Sequence, residues 1–253
     1  RVPGAPLVHE DWGDNVFVER DFTGGDIDSV ISAPIVITRD YRMNRQSTVP
    51  MEGRAVLAHW DDRLDELVVY LTSQIPHIIR IGLAEALGLT ERQVHVISPD
   101  VGGGFGGKIP IYLEPIAAML SKASGQPVKL IMSRPAVFES TGPTPGSYIK
   151  IKMGANKDGK IVAAYAYIVF ESGAYPGGLV GAAAMCVFSC YEIADGLIDC
   201  YDVVLNKPRS FAYRAPGSTQ ACFATEHVVE LLAAELGIDP LEFRLKNSAT
   251  TGT

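Results

Sequence analysis

The sequence carries no run of basic residues: its 22 Lys and Arg are scattered among 29 Asp and Glu, giving a formal net charge of −7. A polyanion finds no footprint on such a chain, which argues against nucleic acid and anionic membrane surfaces as partners. The four cysteines, Cys186, Cys190, Cys200 and Cys222, include no C-x-x-C pair, so neither a zinc ribbon nor an iron–sulfur ligand set is written here. They read as reduced core residues suited to the cytoplasm. The five histidines show no H-E-x-x-H or other paired spacing, so a metal held directly by protein side chains is not expected. Long apolar runs are absent as well. The weakly polar stretch from Gly177 to Tyr191 is rich in Gly and Ala and too short to span a bilayer. No cleavable signal is visible at Arg1, which is not a methionine, and the chain reads as a piece of a longer polypeptide.

What is present describes a folded protein. Hydrophobic residues make up 47% and charged residues 20% of 253 positions, enough for one large domain or two closely joined lobes. Residues 1–34 read as a connecting segment with one short strand at Asn15 to Glu19, and 248–253 as a tail. From Ile35 the pattern changes. Runs at Ile35 to Tyr41, Ala55 to Trp60 and Glu66 to Leu71 predict strands, the last two joined through Asp61-Asp62-Arg63. A helix is expected from Pro76 to Leu87 with Gly88 ending it, and another from Tyr112 to Ser124 with Gly125 as cap. Pro127 to Met132 reads as a buried strand. Ser147 to Met153 and Lys160 to Phe170 read as a hairpin across Asn156 to Gly159. Further on, a small-residue helix is expected at Ala182 to Tyr191 and a strand at Asp199 to Leu205. A strong helix at Thr219 to Leu236 should put Ala221, Phe223, Ala224, Val228, Leu231 and Leu232 on one face, and Asp239 should cap a short final helix. Strands and helices mix without strict alternation, so the expected class is α+β, mixed sheets with packed helices.

The most telling stretch is Asp100-Val101-Gly102-Gly103-Gly104-Phe105-Gly106-Gly107-Lys108, five glycines around one aromatic, directly after the strand-like Val94 to Ser98. So many glycines are needed where the backbone takes positive φ or lies against a ligand. Gly102 to Lys108 meets the first seven positions of a P-loop, but Ile109 stands where a hydroxyl must reach Mg²⁺. Gly102, Gly104 and Gly107 spell G-x-G-x-x-G, yet no acidic residue follows at a suitable distance to bind a ribose. A plain glycine-rich surface turn is the bland alternative. A second tight loop, Phe211 to Ser218, precedes the long helix, and Gln74 stands alone just after a strand. Two backbone-rich loops ahead of helices suit a bulky cofactor held by amide N–H groups.

Taken together, Tyr70-Leu71-Thr72-Ser73-Gln74, Gly102 to Lys108, and Ala212-Tyr213-Arg214 resemble, in order and spacing, the molybdopterin-binding large subunit of the xanthine dehydrogenase, aldehyde oxidase and carbon monoxide dehydrogenase family. The resemblance runs over about residues 35–247, implying a molybdenum-cofactor-binding domain that supplies the first half of the site. It implies that Gln74 hydrogen-bonds near the metal without ligating it, that Gly103, Gly104, Phe105, Gly106 and Gly107 face the cofactor, and that Tyr213, Arg214 and Ala215 lie on its dithiolene side. Pro50-Met51-Glu52-Gly53-Arg54 resembles a further family motif, but Thr48 replaces its His and Gly53 its Pro, which makes Glu52 a structural residue first.

Departures from the family pattern narrow the substrate. Ile109, Ala182 and Pro216 occupy pocket positions where purine hydroxylases carry a carboxylate, an arginine and a phenylalanine, which argues against xanthine. Ala215 stands where carbon monoxide dehydrogenases place a copper-binding cysteine. An aldehyde or a nitrogen-containing aromatic ring remains. The family's catalytic glutamate follows a glycine, and no Gly-Glu dipeptide occurs here, so no catalytic residue is expected in this chain, and turnover should need the C-terminal half of the same subunit. The resemblance also implies molybdopterin, with its cytosine dinucleotide form as one option, and [2Fe-2S] clusters and FAD on partner subunits or domains. Two other readings stand beside this one: an assembly domain that docks the iron–sulfur partner without holding cofactor, and a P-loop-like nucleotide binder.

Overall fold

In a computed structural model that describes residues 2–26, 28 and 32–250, the elements in chain order are β1 Val16–Gly24, β2 Ile35–Met43, β3 Ala55–Asp61, β4 Glu66–Leu71, α1 Pro76–Leu87, β5 Val94–Ile97, α2 Glu114–Ser124, β6 Val128–Ile131, α3 Arg134–Ser140, β7 Ser147–Ala155, β8 Ile161–Gly173, α4 Val180–Cys186, β9 Asp195–Val204, α5 Ser218–Leu236 and α6 Pro240–Asn247. Of the expected connecting segment and tail, residues 1, 27, 29–31 and 251–253 lie outside the described residues. The chain divides into two units, one of Arg1–Gln46, Thr144–Ser210 and Ala215–Thr253, the other of Ser47–Pro143 and Phe211–Arg214. Mixed sheets with packed helices make it an α+β protein, as the sequence pattern led us to expect.

The first unit is built on a five-stranded sheet in the order β1-β9-β8-β7-β2. β8 and β9 run parallel, and the other pairs are antiparallel. Large and small side chains face each other across β7 and β8: Ile151 is opposite Ala166 and Met153 opposite Ala164. The helix α5 packs on β2 and β7, and its Ala221, Ala224, Val228 and Leu232 are buried in the same cluster as these strands. Phe223 departs from expectation, since it is 56% exposed and only edges onto the Tyr41 ring at 5.7 Å. Leu231 is half-buried. A helical stripe read from composition is wider than the face the sheet can cover.

Other boundaries shift. The strand expected at Asn15 to Glu19 is the nine-residue β1, paired with β9 along the sheet edge. The helix expected at Ala182 to Tyr191 is the shorter α4, begun by Leu179 at φ +63°. Of the four cysteines, which carry no disulfide, Cys200 is buried, Cys190 is exposed, and the other two are half-buried, so the expectation of core cysteines holds for Cys200 alone. Asp239 caps α6 as expected, its Oδ1 accepting from Leu241 N at 2.9 Å and Glu242 N at 3.1 Å.

The second unit has a four-stranded sheet, β5-β4-β3-β6. Val56, Ala58, Trp60, Leu67, Val69 and Leu71 meet Ile79, Leu83, Ala117 and Ala118 of α1 and α2 in its core. Pro76 starts α1 where its missing N–H costs nothing, and Gly88 at φ +67° ends it. β6 is an edge strand with Ile131 67% exposed, not the buried strand its apolar letters suggested. β4 and β5 are parallel neighbours. Their C-terminal ends therefore lie at one edge of the sheet, and the segments that leave them are Thr72 to Gln74 and Ser98 to Lys108. This parallel pair positions the site.

One buried acid in the first unit has a thermodynamic signature. Asp202 accepts from Val180 N at 3.3 Å at the start of α4, while its Oδ1 has no partner among the described residues. Burial pushes its pKa up to about 6, against the lowering effect of the backbone N–H groups it accepts from. The native state thus holds a proton that the unfolded chain releases near pH 4, so stability falls as pH rises from about 4 to 6 and stays reduced above. Asp202→Asn should be more stable than wild type at pH 7, by roughly 1–3 kcal/mol, and equal to it below about pH 4. Urea melts at pH 3.5 and 7 check this, and equal stabilities at pH 7 would contradict it.

Candidate cofactor-binding site

The glycine loop is folded around Gln74. Its Oε1 accepts the N–H of Gly106 at 2.9 Å and of Lys108 at 3.2 Å, and its own N–H donates to Lys108 O at 3.2 Å. Both partners of the side chain are donors, so the carbonyl oxygen must face the loop and the amide nitrogen must face away. Gln74 is exposed, and its Nε2 makes no hydrogen bond among the described residues. Ser73 supports the turn below, donating from Oγ to Lys108 O at 3.3 Å.

The second loop meets the first through backbone. Arg214 N donates to Phe105 O at 2.8 Å, and a Cβ on Gly106, which has φ +99°, would fall onto the carbonyl of Ala212. A Cβ on Gly104 would likewise overlap the Gln74 side chain. Phe105 takes φ +53° and is 42% exposed. The N–H groups of Gly104 and Phe105 have no partner among the described residues, and neither does the exposed guanidinium of Arg214. The result is a cradle with open donors: two backbone N–H groups, one amide NH₂ and one guanidinium.

Glu52 and Lys108 are more central than their sequence context indicated. The Lys108 side chain is fully buried, its ammonium paired with Glu52 Oε2, which also accepts Gly102 N–H at 2.9 Å. Burial raises the pKa of Glu52, and the bonds from Lys108 and Gly102 outweigh it, holding the carboxyl below its ordinary range. A lysine so placed cannot reach a phosphate, so the P-loop reading fails on geometry as well as on Ile109. Arg54, which ends the Pro50 to Arg54 motif and to which the sequence assigns no role, is buried, donates to Gly107 O and Pro110 O, each at 2.9 Å, and stacks over the Tyr112 ring at 4.4 Å. Burial lowers its pKa, opposed by the Glu114 carboxylate. Thr48, standing in for the motif histidine, is buried, and a Cβ on Gly107 would run into its Oγ1.

The sequence-predicted residues thus divide. Gln74, Gly103 to Gly107, Ile109, Tyr213 and Arg214 belong to the second unit and, Tyr213 apart, carry or adjoin the contacts just described. Ala182, Ala215 and Pro216 belong to the first. There Gly217 lies so near α4 that a Cβ would stand 2.6 Å from Ala183 N, which makes the segments bearing Pro216 and Ala182 neighbours.

A family model described as molybdopterin cofactor-binding domain matches residues 8–248. The chain belongs to this family. The aldehyde oxidoreductase molybdenum-binding subunit PaoC of Escherichia coli K12 is 34% identical over 227 residues, which is 88% of this chain and 30% of that protein. The carbon monoxide dehydrogenase large chain of Hydrogenophaga pseudoflava is 30% identical, over 97% of this chain and 33% of its own length. Quinoline 2-oxidoreductase from Pseudomonas putida 86 superposes with a TM-score of 0.88 at 26% identity, covering 92% of this chain and 31% of that one. The chain therefore spans about a third of the length of these relatives. The molybdopterin-binding kinship expected from the three motifs is borne out. The residues fit such a group: the cradle is closed to a Cβ at Gly104 and Gly106, and its open donors suit an acceptor-rich, anionic ligand.

Because Gly106 touches the Ala212 carbonyl, Gly106→Val should separate the two loops while leaving both sheets intact. Amide exchange at Arg214 would then speed by about tenfold or more, as expected for one lost backbone bond, with an unchanged far-UV spectrum. Retained protection at Arg214 would contradict the arrangement.

Proposed function

We propose that this chain supplies the first half of the cofactor site of a molybdenum hydroxylase subunit, in an enzyme that oxidatively hydroxylates an aldehyde or a nitrogen-containing aromatic ring. The observation that carries the reading is Gln74: its oxygen is consumed by the loop, so its amide nitrogen is left to donate to a group seated on Gly104 and Phe105. When bound, the molybdenum cofactor supplies the redox centre at which the substrate carbon is hydroxylated. Gln74 orients an acceptor near that centre, the N–H groups of Gly104 and Phe105 neutralise charge beside it, and Arg214 offers a further set of donors. Ile109, which adjoins the glycine loop in the same unit, brings no hydrogen-bonding side chain to it. Relatives named for aldehyde and quinoline oxidation support the substrate class.

The remainder of the same subunit supplies the catalytic glutamate in this proposal, and partner subunits or domains carry the [2Fe-2S] clusters and FAD. The pterin is molybdopterin itself or its cytosine dinucleotide. The full-length protein should release molybdenum and pterin in equal amounts on denaturation, and a protein expressed with cofactor available yet holding neither would refute the reading.

Gln74→Ala removes the oriented donor together with the acceptor of Gly106 and Lys108 N–H, and turnover per bound molybdenum should fall about 10²-fold. Wild-type kcat in that variant returns Gln74 to a purely structural role. Each purine edge left without a partner costs roughly 1–3 kcal/mol, or about 10 to 10²-fold. Measured with an artificial electron acceptor, kcat/KM for benzaldehyde or quinoline should therefore exceed that for xanthine. Xanthine as the best substrate would overturn the pocket assignment and leave the family standing.

A further inference from the structure

We infer that Glu52 and Lys108 form a positioning pair that sets the glycine loop in its ligand-receiving shape before any ligand arrives. The inference rests on the cofactor reading above for its consequence, though not for its geometry. A loop with five glycines in seven residues is costly to order, so something other than side-chain packing must hold it. One carboxylate oxygen does so from both ends. Glu52 Oε2 takes the N–H of Gly102 where the loop begins and the ammonium of Lys108 where it finishes, and Glu52 N–H returns a bond to Gly102 O at 3.2 Å.

The pair is built for holding rather than for meeting ligand. Lys108 has no exposed side-chain surface, and an ammonium shut away from water stays there only with a charged partner. A Cβ on Gly102 would stand 2.7 Å from Glu52 Cβ, so the carboxylate reaches this place because position 102 has none. The segment bearing Glu52 is itself fixed: Arg134 donates to Pro50 O at 2.7 Å and Met51 O at 3.0 Å. What the pair fixes is read out at Gln74. The N–H groups of Gly106 and Lys108 that occupy Gln74 Oε1 belong to the clasped loop, so the direction of the amide nitrogen depends on the clasp. Glu52 and Lys108 thus act through the loop on Gln74, whose amide nitrogen faces away from it.

The test compares Glu52→Gln, Lys108→Met and the double variant in the full-length protein. Three quantities are read: amide exchange of residues 102–108 in cofactor-free protein, the thermal midpoint, and molybdenum and pterin retained per chain. Each single variant should speed exchange at Gly106 and Lys108 by about tenfold or more and cut retained pterin by a similar factor. Glu52→Gln keeps the shape of the carboxylate and is the milder of the two, so it carries the test if Lys108→Met does not fold. In the double variant no unpaired charge remains, so the midpoint should recover toward wild type. Loop exchange should stay fast and pterin low. Unchanged exchange in the single variants, or pterin recovering together with the midpoint, overturns the inference. A wild-type protein that holds no pterin, but whose loop exchanges slowly and is loosened by the variants, refutes the cofactor reading and supports the clasp.

Discussion

The site depends on backbone approaching backbone. The loop after β5 and the segment 212–214 come close enough that a single added carbon at Gly106 would occupy the Ala212 carbonyl, and they are joined by the bond from Arg214 N to Phe105 O. Around this contact the other ties make sense. Gln74 holds the loop from the side of β4, and Arg54 binds the carbonyls of Gly107 and Pro110 that the turn leaves over. Buried carbonyls and N–H groups cannot be left unpaired without cost, and here the pairing is done by a glutamine, an arginine and a glutamate because no sheet or helix passes through.

The fold serves this arrangement by geometry more than by chemistry. Parallel β4 and β5 end at one edge of the sheet, so two segments distant in sequence leave side by side. Their core of Val, Leu, Ile and Ala is ordinary. A crevice at the carboxyl ends of parallel strands is where α/β sheets generally receive ligands, and the proposed site lies at the corresponding end of β4 and β5. The first unit solves a different problem, seating the 19-residue α5 on β2 and β7.

Much of this was legible in the sequence. Gly88, Gly125 and Asp239 announce helix ends through backbone conformation and capping that act within a few residues. The three motifs announced the family by their resemblance in order and spacing, not by the contacts they make, since Gly106 donates to a Gln74 side chain 32 positions earlier. What stayed hidden depends on distance. Nothing near Lys108 reveals that a carboxylate 56 positions earlier lies against it, and the motif that ends in Arg54 does not show which carbonyls that arginine serves. Phe223 and β6 failed in the opposite direction, since apolar letters promise burial that the available surface did not supply.

Main chain packed against main chain has a consequence for variation. A side-chain contact can be weakened by degrees, from Lys to Gln to Ala, but the opening at Gly106 has no intermediate settings, because the smallest substitution already adds the carbon that closes it. A substitution that leaves the loop intact must therefore fall elsewhere. Ile109 is the natural place for it: half-buried beside the loop, it joins the turn through its backbone N–H to Gly106 O, so its side chain is free to change without loosening what the loop holds.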